Sequence, residues 1–101
     1  MRLRKFDMRV DQTLKPYRST PIFDEISLPD ALRREHRTKL GVWGVVRVHA
    51  GQLKLSFVDP ARERVLGPGD SGLLLPDQPH FVTPVGSVRM QVDFYDKPPL
   101  G

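Results

Sequence analysis

Proline and glycine cut this chain into short pieces, and that spacing limits the folds open to it. Ten prolines and eight glycines fall among 101 residues. Turn signals recur every seven to twelve residues or so, leaving about eight short strand-like segments. No stretch of some 30 residues reads as a strand–helix–strand unit, so a nucleotide-binding α/β fold is not expected. The pattern predicts an all-β, antiparallel sandwich or barrel. The length suits one domain spanning residues 1–101.

In chain order, Lys5 to Val10 is expected to form a first strand within an N-terminal arm over residues 1–14, with Phe6, Met8 and Val10 on one side. Asp11 to Pro16 reads as a turn and Tyr17 to Phe23 as extended chain. Asp24 to Asp30 reads as a loop, with a one-turn helix allowed over Pro29 to Leu32 because proline suits a first helical position. Leu32 to Lys39 alternates. Arg33, Glu35, Arg37 and Lys39 share one face of a strand, while Leu32, Arg34, His36 and Thr38 share the other. The fully charged face must be the wet one, which turns His36 and Thr38 inward and sets Arg34 near the rim.

Val42 to His49 is a strand, Ala50-Gly51-Gln52 a tight hairpin and Gln52 to Val58 its return. Asp59 to Glu63 is a loop and Arg64 to Leu66 a short strand. The stretch GPGDSGLLLPDQPHFV, residues 67–82, follows. A Gly-Pro-Gly-Asp turn opens it, Leu73 to Leu75 form an apolar run, and Pro76-Asp77-Gln78-Pro79 makes a stiff corner before His80. An imidazole presented by a rigid corner suits a metal or ligand better than one on a loose loop. Pro84 to Ser87 is a further turn, Ser87 to Tyr95 the last strand, and residues 96–101 a Pro-rich tail.

The totals narrow the function. Hydrophobic content is 39 % and charged content 28 %, ordinary for a soluble globular domain. No apolar run is long enough to span a membrane, and no signal-peptide core follows the basic N-terminus. There is no cysteine, so disulfides, thiolate ligands and a cysteine nucleophile are excluded. A cytoplasmic location is expected. Net charge is +4, but the sixteen Lys and Arg are mostly scattered and form no basic stripe interleaved with stacking aromatics. Neither nucleic acid nor membrane is expected as a partner. No G-x-S-x-G serine context and no phosphate loop occur, and no carboxylate pair has glycosidase-like placement.

A Gly-rich turn followed by Pro and then His resembles the second motif of cupins, and Leu32 to Leu55 resembles a degraded first motif. The set Tyr17-Arg-Ser-Thr-Pro-Ile-Phe23, Leu32 to Lys39, Trp43-Gly44, Pro76 to His80 and Val92-Asp-Phe-Tyr95 is more specific. It resembles the small cupin-like family of the TehB accessory domain, named for tellurite resistance, over about Lys15 to Tyr95. The resemblance implies a single small double-stranded β-helix, or jelly-roll, barrel. In a standard cupin the first motif supplies His-x-His and then Glu, and the second supplies one more His. Here His36 takes the first position and His80 the last. Thr38 stands where the second His belongs, and Trp43 or Gly44 stands near the Glu. Two of the four ligands are absent.

The candidate metal ligands are therefore His36, His80 and a carboxylate, for which Asp93 is the best choice. Asp93 lies opposite the apolar face of Val88, Met90, Val92 and Phe94, so it needs a bulge to turn inward and is otherwise solvated. Two imidazoles and a carboxylate suit Zn²⁺, Fe²⁺ or Ni²⁺. Each histidine has an alternative role as a hydrogen-bonding group in a polar interior. Arg34, Thr38, Trp43 and Arg47 are candidate ligand contacts. Inward arginines need a counter-charge; with the histidines they would grip a small oxyanion or carboxylate, or else pair with Asp70, Asp77 or Asp93. His49 reads as a rim residue.

Three functions follow. The first is a metal- or small-anion-binding module tied to an oxyanion stress response. The second is a metal enzyme activating water or oxygen at His36 and His80, and the third a non-catalytic partner-binding barrel. Open strand edges and an apolar outer face predict a homodimer.

Overall fold

A computed structural model describes residues 14–99. The expected strand at Lys5 to Val10 lies outside the described residues. The described chain is nearly all β. Its elements are β1 (Arg18–Ser19), β2 (Phe23–Asp24), α1 (Asp30–Arg33), β3 (Trp43–Val58), β4 (Ala61–Leu66), β5 (Ser71–Leu74) and β6 (His80–Tyr95). All pairings are antiparallel and the six strands form one sheet. β3 and β6 lie side by side along their full length. β4 and β5 extend the sheet beyond β3, while β1 and β2 extend it beyond β6.

The hairpin expected at Ala50-Gly51-Gln52 and the turn expected at Pro84 to Ser87 do not form. Each is an irregularity inside a strand of 16 residues. The register runs Val48↔Met90 and then Ala50↔Arg89, so His49 is an extra residue in β3. It runs Gly51↔Val88 and then Gln52↔Val85, so Gly86 and Ser87 are extra in β6. One inserted residue reverses which side chains face inward. Gly44, Val46 and Val48 are buried before the bulge, and Leu53 and Leu55 after it. Two inserted residues leave the phase unchanged, and Val82, Val88, Met90 and Val92 keep even numbers along β6. The two bulges face each other, which lets two long strands bend together.

Leu32 to Lys39 is not a strand. Leu32 and Arg33 complete the short helix α1, and only His36 makes a ladder contact, an isolated bridge to His80. The helix begins after Pro29 and is fixed by its flanks. The Asp24 carboxylate accepts the N–H groups of Ile26 and Ser27, which holds its pKa below the usual carboxylate range. The Arg33 guanidinium donates to the carbonyls of Leu28 and Glu25. Leu28, in that segment, is 3 % exposed and joins the main apolar cluster with Val46, Leu53, Leu66, Leu74 and Met90. Among the described residues no helix is long and apolar enough to cross a membrane.

Candidate functional site

The bridge between residues 36 and 80 sets the site. The His36 N–H donates to the His80 carbonyl and the His80 N–H to the His36 carbonyl, both at 2.9 Å. A reciprocal pair of this kind puts the two side chains on one face. The imidazole centroids are 4.1 Å apart and the ring planes meet at 65°. The proline corner supplies one ring and the segment after α1 the other. Three further contacts lock the two segments together: the Asp77 N–H donates to the Thr38 carbonyl at 3.1 Å, and Arg37 donates to the Asp77 carbonyl at 3.3 Å and pairs with its carboxylate at 3.5 Å.

Each ring is tethered through the same nitrogen. His36 Nδ1 lies 2.9 Å from the Arg34 carbonyl and His80 Nδ1 lies 2.8 Å from the Gln78 carbonyl. A carbonyl only accepts, so both rings carry their proton on Nδ1 when neutral. Among the described residues neither Nε2 has a hydrogen-bond partner. His80 is 1 % exposed, and its pKa falls to about 4. Burial is the main cause; the nearby His36 adds to it and the Gln78 carbonyl opposes it. At neutral pH His80 therefore offers an uncharged Nε2 lone pair.

Both rings border a cavity of about 120 Å³. Leu32, Val46, Leu74, Val82, Met90, Val92 and Phe94 supply most of its wall, and Thr20, Arg37 and Thr38 the remainder. The Thr38 hydroxyl donates to the Val42 carbonyl at 2.8 Å, and that of Thr20 to the Pro21 carbonyl at 2.9 Å. The hydroxyl protons are thus spent on the backbone.

The other sequence candidates lie elsewhere. Arg34 is exposed and meets the site only through its carbonyl, so its inward assignment fails with the strand on which it rested. Trp43 and Arg47 sit on the sheet face opposite Gly44 and Val46, away from the cavity. Asp93 is on that opposite face too, as expected, but it is not solvated: it is 3 % exposed. Its carboxylate lies 2.6 Å from Arg47 Nε and accepts the Ser19 hydroxyl at 2.7 Å and the Gln91 amide at 3.3 Å. No bulge turns it toward the histidines. The described residues hold no cluster of three or more His, Cys, Asp or Glu able to grip a metal. His49 is exposed and bonds the Gln91 side chain at 2.7 Å, consistent with its rim reading.

Arg37 was missed. Alternation puts it on the charged face, yet it borders the cavity and pairs with Asp77. Its only signal in the sequence is the acidic residue in the proline corner.

The Arg47–Asp93 pair makes a stability prediction. Arg47→Ala leaves a buried carboxylate with only Ser19 and Gln91 as donors, and is expected to cost about 2 kcal/mol, below the usual figure for buried pairs because the Arg47 side chain is 44 % exposed. Urea unfolding checks it, and a loss under about 0.5 kcal/mol would mean that the carboxylate finds water.

Comparison with known proteins adds the following. A sequence model described as a TehB-like domain matches residues 18–92. Curated protein sequences give no match. Among solved structures, TehB from Haemophilus influenzae superposes with a TM-score of 0.74 at 25 % identity, covering 81 % of this chain and 31 % of that one. The chain thus spans about a third of the length of that protein. A protein from E. coli strain K12 superposes at 0.79 with 20 % identity, covering 90 % of this chain and 98 % of that one. The FeII HppE structure superposes at 0.57 with 18 % identity, covering 73 % and 40 %. At those identities the last two speak to fold alone.

Proposed function

This chain belongs to the TehB-like domain family, and from that premise we propose that it is a cupin-type binding module whose centre, the His36/His80 pair, takes a divalent cation. The observation that carries the reading is the shared tether. Both rings spend Nδ1 on a backbone carbonyl, which leaves Nε2 without a hydrogen-bond partner among the described residues, and both residues line the cavity. That is how metal-binding histidines are held, with one nitrogen fixed by an outer partner and the other left as the ligand. The low pKa of His80 favours the same role, since a ligating imidazole must be neutral.

The donor set fits a cation held by two imidazoles, with its remaining positions left to water or a small ligand. Zn²⁺, Fe²⁺ and Ni²⁺ all accept imidazole nitrogen. It does not fit a closed four-ligand zinc site or a two-histidine, one-carboxylate centre, because Asp93 is engaged with Arg47 on the other face. A module that binds is therefore favoured over an enzyme. A cation bound there would supply a Lewis-acidic point for an oxygen-bearing ligand. An oxyanion role linked to tellurite resistance rests on the family; Arg34 and Arg47 do not line the cavity, which leaves such a cation or Arg37 to meet the anion. The adjacent bulges in β3 and β6, where long strands can bend, support the jelly-roll part of the proposal.

The test is metal analysis on protein purified without a polyhistidine tag, followed by calorimetric titration with Zn²⁺, Fe²⁺ and Ni²⁺. One equivalent is expected to bind. His36→Ala and His80→Gln should each weaken it by about a hundredfold or more with the circular dichroism spectrum unchanged, while Asp93→Asn leaves it unaltered. Absence of binding, or loss on Asp93→Asn alone, overturns the reading.

A further inference from the structure

The wall of the cavity bears on the class of molecule that occupies it. Its volume, about 120 Å³, is close to that of cavities that hold one benzene-sized molecule. The wall is apolar on most sides, and its two threonine hydroxyls donate to backbone carbonyls. The one cationic group, Arg37, is already paired with Asp77 and has a half-exposed side chain. The polar atom left to each lining imidazole is Nε2, since Nδ1 is tied to a backbone carbonyl.

A bare oxyanion gains nothing from such a surface. It would lose its hydration against a largely apolar wall, and the wall's cationic group is a half-exposed arginine already held by Asp77. An apolar body with one hydroxyl suits this wall better: the body replaces water against Leu74, Val82 and Phe94, and the O–H donates to one of the two imidazole Nε2 atoms. We infer that the cavity takes a small neutral molecule with a six- to seven-carbon apolar body and a single hydroxyl head, of the phenol class, rather than a free oxyanion. The inference rests on the His36/His80 cavity being the binding site but not on a metal being present. With a cation on the imidazoles, the same hydroxyl oxygen ligates the cation instead.

The probe is phenol, titrated into chelator-treated full-length protein and followed by amide and methyl NMR shifts. Toluene and inorganic phosphate are the comparison ligands. Phenol is expected to shift the Leu74, Val82 and Met90 methyl signals saturably. Toluene should shift the same signals about tenfold more weakly, because it lacks the donor. Phosphate should leave them unmoved. Leu74→Phe, which narrows the cavity but leaves both rings in place, should weaken phenol at least about tenfold while leaving Zn²⁺ affinity unchanged. Equal affinity for toluene and phenol overturns the hydroxyl assignment. Phosphate binding at these methyl groups, or no phenol shift at millimolar concentration, overturns the ligand class. Phenol binding with no Zn²⁺ affinity would overturn the metal reading and leave this one standing; Zn²⁺ affinity without phenol binding would do the reverse.

Discussion

Replacing Gly51 by alanine is expected to cost about 4 kcal/mol or more and to lower Tm by at least about 15 °C. Two penalties act together. Gly51 has φ +74°, where a side chain costs about 1 kcal/mol or somewhat more. A Cβ there would also sit 1.9 Å from the Ser87 carbonyl oxygen and 2.8 Å from its carbon. These are backbone atoms of the opposing bulge, so no side-chain rotation relieves the clash and the two long strands must separate locally. Gly86, in that facing bulge, is the internal comparison. It has φ +70° but nothing within 4 Å of a built Cβ. Gly86→Ala therefore pays only the conformational penalty, about 1 kcal/mol. Chemical denaturation of both variants separates the terms. Equal losses would mean that β6 moves aside without cost. For a domain of this size, 4 kcal/mol is a large share of the total stability.

Acidification is expected to remove about 3 kcal/mol of stability through His80 alone. The native pKa is about 4, against 6.5 for an ordinary histidine. Below pH 6.5 the unfolded chain takes up the proton before the folded chain does, so unfolding gains a proton and stability falls with pH. The contribution is complete above about pH 6.5 and is lost progressively as the pH drops toward 4. Burial is the leading cause and cannot be screened by salt, so the slope should persist at high ionic strength. Unfolding of chelator-treated protein at several pH values, compared with His80→Gln, isolates the term. The variant should lose about 3 kcal/mol less than the parent between pH 7 and pH 4. Parallel curves would place an ordinary, solvated imidazole at residue 80.

Much of the fold is legible because short apolar segments between turn residues can only be strands. What the sequence leaves ambiguous is how those strands join. A glycine with positive φ serves a tight hairpin and a bulge alike. Around Ala50-Gly51-Gln52 the apolar phase also changes, from Val46 and Val48 to Leu53 and Leu55. A hairpin and a one-residue bulge produce that phase change equally well. Only the pairing of Gly51 with Val88 distinguishes them, and a contact so distant in sequence leaves no local mark. The same limit applies at the site. Alternation puts His36 and Thr38 on one side of their segment even though it is not a strand, because the bridge to His80 imposes local extended geometry. Alternation also gives Asp93 its correct face but not its burial, which comes from Arg47 and Ser19 on neighbouring strands. Arg37 is misplaced for a related reason: its position depends on Asp77, forty residues away.

The central claim is that His36 and His80 are tethered through Nδ1 and leave their Nε2 atoms for one cation. Long-range ¹H–¹⁵N correlation of the imidazole rings at pH 7 tests it directly, since Nδ1–H and Nε2–H tautomers give distinct patterns. The account predicts Nδ1–H for both residues, and a joint displacement of both Nε2 signals that is complete at one equivalent of Zn²⁺. An Nε2–H pattern on either ring, or displacement of His49 with residues 36 and 80 unmoved, would contradict it.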